Sequence, residues 1–212
     1  MEAILAQQNN SSEKVMLRKA TRNDEEKVVN ILCNSFKNDP HIKWMLEKSR
    51  NPDKLKSIMT YIFRKTITVG KIFLTTDETA TALWKSEKKE KFNFEFIKRN
   101  LNFLFKVGVK SVVRILANES FTYKQYPKTE KYFHLYAIGV LPESQGKGYA
   151  SSLMNPILNE MEKNSRPVYL ETANIKNVHI YIKKGFKIYN KWINNGIELY
   201  YMRKLNSTSV YQ

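Results

Sequence analysis

The segment Ile138-Gly-Val-Leu-Pro-Glu-Ser-Gln-Gly-Lys-Gly-Tyr-Ala150 sets an apolar run, a short basic loop and a helical start in immediate succession. Such a turn aims several unpaired backbone N–H groups at one point, and the dipole of the following helix adds partial positive charge there. The chemistry it supports is the binding of a pyrophosphate. Two common phosphate loops do not fit. The stretch from Gly146 through Lys147, Gly148, Tyr149 and Ala150 to Ser151 lacks the third glycine of a dinucleotide fingerprint, and no Gly-Lys-Ser/Thr closes a P-loop. What remains is Gln145-x-x-Gly148-x-Ala150. A second group of polar and aromatic positions follows in Leu170-Glu-Thr, Asn177-Val178, Tyr181 and Gly185-Phe186.

The elements that must hold these residues are legible in periodicity and punctuation. Val15 to Ala20 reads as a strand, and Thr21 with Asp24 three residues on starts an amphipathic helix carrying Val28, Val29, Leu32 and Phe36. Asp39-Pro40 ends it and opens a second helix. Asn51-Pro52-Asp53, a cap with proline at the first helical position, opens a third that stops by Gly70. Lys71 to Thr75 and Thr81 to Lys85 read as strands around the turn Asp77-Glu78. Phe92 to Leu116 reads as one helix, with Lys106, Lys110 and Arg114 four apart on a solvated side. Then come strand Tyr132 to Val140, helix Gly148 to Lys163, strand Val168 to Glu171, helix Ile175 to Lys184, and strands Phe186 to Trp192 and Ile197 to Lys204. This alternation predicts an α/β fold with a sheet of mixed direction. Pro156 should kink or break its helix. One domain over residues 14–205 is expected, with polar tails at 1–13 and 206–212.

Gln145-x-x-Gly148-x-Ala150 resembles the Gln/Arg-x-x-Gly-x-Gly/Ala signature of the GNAT N-acetyltransferase superfamily. Asn177, Tyr181 and Gly185-Phe186 resemble its later Asn-x-x-x-Tyr-x-x-x-Gly-Phe element, in the right order and at the usual distance. The resemblance implies the GNAT fold, a twisted, mostly antiparallel sheet flanked by helices and split between the strand ending at Val140 and the one ending at Glu171. Acetyl-CoA would be the co-substrate. Its pantetheine arm would lie in the split against backbone groups of Ile138 and Val140, while amides of Gln145, Gly146, Lys147, Gly148, Tyr149, Ala150 and Ser151 hold the pyrophosphate and Asn177 touches the arm. Tyr181 would be the acid that protonates the departing thiolate. An oxyanion donor is implied near Ile138 to Val140, where the family's strand is bulged, and Gly139 suits a bulge. The acceptor amine must lose a proton, since an alkylammonium has a pKa of about 10. Glu171 is the candidate base, directly or through water, with anchoring of the next helix as its alternative role.

Weaker similarity further back, in Ser35-Phe-Lys-Asn-Asp-Pro-His-Ile-Lys-Trp44 and Ala82-Leu-Trp84, resembles the puromycin acetyltransferase-like branch, whose members acetylate small amines. Phe36, Trp44, Tyr61, Trp84 and Phe121 would then supply an aromatic acceptor wall, or simply core. A peptide N-acetyltransferase, a nucleic-acid-binding module and a non-catalytic acyl-CoA sensor are the competing readings. The module is suggested by a net charge of +16. The basic residues are dispersed, however, with no aromatic-basic repeat, so nucleic acid is not the expected partner. The lone Cys33 excludes an intramolecular disulfide, and His41, His134 and His179 lack metal-ligand spacing, so no metal is expected. Without a signal-like start or a long apolar run, a cytoplasmic protein with no membrane partner is expected, and a homodimer stays open.

Overall fold

A computed structural model describes residues 15–46, 51–85, 94–128, 131–194 and 196–206. The expected tails, and the start of the helix expected from Phe92, lie almost wholly outside them. Among the described residues seven strands and seven α-helices follow in chain order: β1 (Leu17–Lys19), α1 (Glu25–Phe36), α2 (Pro40–Met45), α3 (Pro52–Val69), β2 (Lys71–Thr75), β3 (Ala80–Lys85), α4 (Phe94–Val107), α5 (Val109–Gln125), β4 (Phe133–Val140), α6 (Tyr149–Asn164), β5 (Val168–Thr172), α7 (Ile175–Lys183), β6 (Lys187–Asn194) and β7 (Ile197–Lys204). The caps are those the sequence announces. Asp39 accepts from the Ile42 amide, Asn51 accepts from the Asp53 amide, and each precedes a proline. The Thr21–Asp24 box is also formed, and Asp24 is clamped by both terminal nitrogens of Arg18.

Two expectations are corrected. The helix expected over 92–116 is two helices, broken at Gly108, whose φ of 91° no interior helical residue adopts. The second runs on to Gln125, because the next two residues, Tyr126-Pro127, are where the chain must leave the helical region. Pro156 does not break α6, which passes through it from Tyr149 to Asn164.

The strands form one sheet in the order β1-β2-β3-β4-β5-β7-β6, antiparallel except for the β4–β5 pair. Strand alternation divides the core between the two faces. On one, Trp84, Leu135, Leu170 and Met202 pack with Leu153, Met154 and Ile157 of α6 and with Val178 and Tyr181 of α7. On the other, Leu74, Leu83 and Ala137 pack with Val28, Leu32, Met59 and Phe63 of α1 and α3. Among the described residues no helix is long and apolar enough to cross a membrane.

Candidate active site

The parallel contact between β4 and β5 is short. Phe133, His134 and Leu135 pair with Val168, Tyr169 and Leu170, and there the ladder stops. The reason lies on the other side of β4. Leu83 of β3 pairs with Ala137 while the adjacent Trp84 pairs with Leu135, leaving Tyr136 as an extra, bulged residue immediately after the last β4–β5 pair. A bulge bends its strand and increases local twist, so it turns the rest of β4 away from β5 and opens the sheet. The bulge therefore sits at Tyr136 and not at Gly139, as the sequence suggested. Gly139 is in regular register with Thr81 and lies under α1, where a Cβ would come within 2.9 Å of Ser35 Oγ. Its small size serves helix-on-sheet packing.

Register also tells which groups face the opening. The Leu141 amide donates to Thr79 O, so residues of that phase, including Gly139, turn their polar groups toward β3, and Ile138 and Val140 turn theirs toward the split. The Val140 carbonyl already lies 3.1 Å from Ser35 Oγ and 3.2 Å from Gln145 Nε2, which ties the strand end to α1 and to the loop that follows. That loop is a single 3-10 turn (Pro142–Ser144) and then Gln145 to Gly148, all four exposed. Gly148, in the left-handed region at φ 84°, opens α6 without any side-chain cap. The first-turn amides of α6 have no carbonyl of their own helix to meet, an arrangement able to receive an anion. Tyr149 donates its hydroxyl to Asp77 in the β2–β3 turn and so fixes the start of α6.

A cavity of about 560 Å³ runs through the opening. Leu135 to Ile138 and Leu170 to Ala173 form its waist, Asn177 and Tyr181 its wall on the α7 side, and residues of α1 to α5 its larger chamber on the opposite face. Asn177 and Tyr181, one turn apart on α7, thus share one cavity with the strand ends. Tyr181 is 7% exposed, rests against Phe186, and its hydroxyl has no hydrogen-bond partner among the described residues. Burial, helped by the negative charges of Glu171 and Asp39, pushes its pKa well above the ordinary tyrosine value. A phenol so placed stays protonated and has its proton to give.

Glu171 lines the waist but is not idle. One of its oxygens accepts from the Tyr126 hydroxyl and lies 2.8 Å from His134 Nε2, and Tyr126 and His134 are 3.0 Å from each other. Burial by itself would raise the Glu171 pKa. Electrostatic attraction and a hydrogen bond from His134, the hydrogen bond from Tyr126, and the more distant Lys85 outweigh burial and hold it at about 2. Glu171 does not anchor the next helix; Asn174 caps α7 through the Lys176 amide, and Thr172 Oγ1 accepts from Asn174. A second carboxylate, Glu119 of α5, reaches Lys65 and the bulged Tyr136 at 3.2 and 3.3 Å, with Lys85 Nζ 3.4 Å over the Tyr136 ring. Burial opposes its ionisation, but the charges of Lys65 and Lys85 prevail and lower its pKa.

Tyr126, His134 and Glu119 are functional candidates that sequence reasoning missed. His134 alone left a trace, a histidine inside an apolar strand. His41 lines the chamber as well, with burial depressing its pKa against the opposing charges of Asp39 and Glu171. Of the five aromatics expected as an acceptor wall, Phe36 and Tyr61 line the cavity. Trp84 is core, and Trp44 and Phe121 pack on Trp192 instead. Among the described residues no three metal-ligating side chains converge.

Residues 84–206 match the family model described as the acetyltransferase (GNAT) domain. Over 175 residues the chain is 25% identical to an uncharacterised N-acetyltransferase of Schizosaccharomyces pombe, covering 77% of this chain and 70% of that one. Among solved structures, one titled as histone acetyltransferase HPA2 and related acetyltransferase from Corynebacterium glutamicum superposes with a TM-score of 0.65 at 18% identity, covering 92% of this chain and 97% of that one. Arylalkylamine N-acetyltransferase 2 from Aedes aegypti gives 0.64 at 13% identity, over 91% and 99%. The split sheet, the uncapped glycine-led helix and the match over most of the chain together place this protein in the GNAT family, as an N-acetyltransferase of the kind that uses acetyl-CoA.

Proposed function

We propose that the protein acetylates a primary amine on a small molecule with an apolar or aromatic body, by direct attack across the split. The observation that carries this reading is the continuous cavity from α7 through the β4–β5 opening into a chamber walled by Phe36, Ile58, Tyr61, Ile62 and Phe103. A concave chamber with Phe36, Tyr61 and Phe103 in its wall, and Asp39, Glu119 and Glu171 placed to meet an ammonium group, suits a compact amine with an apolar body. The mosquito arylalkylamine enzyme, similar in fold, is named for substrates of that class. The stretch from Ser35 to Trp44 supplies Phe36, Asp39 and His41 to the chamber, and its sequence resemblance is the ground on which we group the protein with the puromycin acetyltransferase-like branch. We take residues 14–205 as one catalytic unit working in the cytoplasm.

In this reading the amides of Gly146 to Ser151 hold the pyrophosphate, without the Gln145 amide expected from the sequence, which donates to Pro142 O at 3.3 Å; Ile138 and Val140 present backbone groups to the arm, and Asn177 contacts it. A bound acetyl-CoA supplies an activated acyl carbon. The negative charge of Glu171 draws the ammonium form of the acceptor to the waist, where a proton passes to Glu171 or to a water beside it. With a pKa near 2 that carboxylate holds the proton only briefly, and the freed amine attacks. The sulfur then leaves with the Tyr181 proton, and the proton remaining in excess on nitrogen returns to the Tyr181 oxygen. Parallel assays with aryl amines, polyamines, aminoglycosides and peptide libraries test the acceptor. Turnover of peptides alone would sink the small-amine reading in favour of peptide acetylation.

A further inference from the structure

Two outward stripes, on α4 and α5, lie outside the acetyl-transfer site except for Leu116. On α4, Ile97, Leu101 and Phe105 recur every fourth residue at 39%, 50% and 84% exposure. On α5, Val109, Val113 and Leu116 continue the pattern at 66%, 59% and 58%. Stripes at helical spacing normally face a core, and soluble monomers rarely leave contiguous apolar patches of this kind open. Near them stand Lys98, Lys110 and Lys124, all exposed and none in an ion pair among the described residues, whereas Lys106 lines the polar groove between α3 and α4. The acids of the two helices are Glu95 and Glu119, and Glu119 turns inward to Lys65.

We propose that this face docks on the surface of an anionic lipid bilayer, lying in the interface plane. Apolar side chains flanked by lysines are the composition that partitions between headgroups and acyl chains. Charge argues against a second copy of the chain as occupant: a two-fold contact would set these lysines against their own equivalents in a protein already at +16. Shape argues against a peptide. None of Ile97, Leu101, Phe105, Val109 and Val113 lines the main cavity, and none lines the polar groove between α3 and α4. The inference revises the sequence-based expectation of no membrane partner, in which Lys106, Lys110 and Arg114 formed a merely solvated side. Arg114 in fact turns inward to donate to Trp44 O at 2.9 Å and Lys106 lines the α3–α4 groove, which leaves Lys110 beside Val109. Leu116 belongs both to the stripe and to the cavity wall, so the docked surface adjoins the acceptor chamber.

The test is sedimentation of the full chain with vesicles of phosphatidylcholine alone or with one third phosphatidylserine, at low and at physiological salt. Binding only to the anionic vesicles, weakened by salt, is expected. Lys98→Gln/Lys110→Gln should lower the partition coefficient by about five-fold for each lysine, roughly 25-fold together. Phe105→Ser/Val109→Ser should lower it by about ten-fold or more. Both pairs are exposed, and an unchanged acetyl-CoA-induced thermal shift would show that the variants fold. Equal or absent binding to both vesicle types overturns the proposal, as does undiminished binding by both variants. A dimer in sedimentation equilibrium that Phe105→Ser/Val109→Ser converts to monomer would assign the face to self-association instead.

Discussion

Replacing Tyr181 with Phe removes one oxygen and nothing else. The ring is 7% exposed and keeps its packing on Phe186, and the hydroxyl gives up no hydrogen bond to the described residues. The fold should therefore hold to within about 0.5 kcal/mol, the range for substitutions that touch no packing or network. The rate should not hold. A positioned general acid contributes roughly 10² to 10⁴ in rate, or about 3 to 5 kcal/mol of barrier. Thiol release followed with a chromogenic disulfide gives kcat, and thermal unfolding with and without acetyl-CoA gives cofactor binding. The expected result is a kcat lowered by at least about a hundred-fold with the ligand-induced shift retained, since the lost interaction belongs to the transition state. Because the pKa of Tyr181 lies above that of an ordinary tyrosine, the wild-type rate should show no loss from phenol ionisation up to a pH of about 10. A Tyr181→Phe rate within three-fold of wild type would refute the acid assignment and pass the role to water.

Acetyl-CoA at about 100 times its dissociation constant should stabilise the fold by about 2.7 kcal/mol, raising the unfolding midpoint by roughly 5 to 11 °C for a chain of this size. NAD and ATP should give no such shift. Gly139→Ala places a Cβ 2.9 Å from Ser35 Oγ and should cost about 1 to 3 kcal/mol in chemical unfolding. Adding Ser35→Ala should recover part of it, and strictly additive losses would deny the contact. Glu171 has a folded pKa lowered to about 2, so its stabilising contribution is present above the unfolded value near 4.5 and is lost as pH falls toward 2. Unfolding free energy followed across that window should fall more steeply for wild type than for Glu171→Gln; parallel curves would contradict the ion pair.

Much of the site was legible because its chemistry is local. The strand, loop and glycine-led helix from Ile138 to Ser151 lie within fourteen consecutive positions, and both caps before Pro40 and Pro52 announce themselves. What stayed hidden depends on pairing across the chain. The bulge belongs to the register between β3 and β4, about fifty residues apart, and a glycine in β4 was a plausible but mistaken marker for it. The partners of Glu171 stand 37 and 45 residues away, so nothing local in the sequence shows that one oxygen of this candidate base is held by Tyr126 and His134. The break at Gly108 is masked in sequence because its neighbours on both sides share helical periodicity, while the true end of α5 is marked by Tyr126-Pro127.

The early end of the β4–β5 ladder has a further consequence. Between Tyr136 and Val140 the sheet carries what amounts to two strand edges in its middle, and edges invite pairing with any passing extended chain. A pantetheine arm lying along Ile138 and Val140 would seal that seam. Coenzyme supply would then act as a guard against misassembly: newly made protein in a cell short of acetyl-CoA would show faster amide exchange along this seam and a greater tendency to aggregate than protein folded with the coenzyme in place.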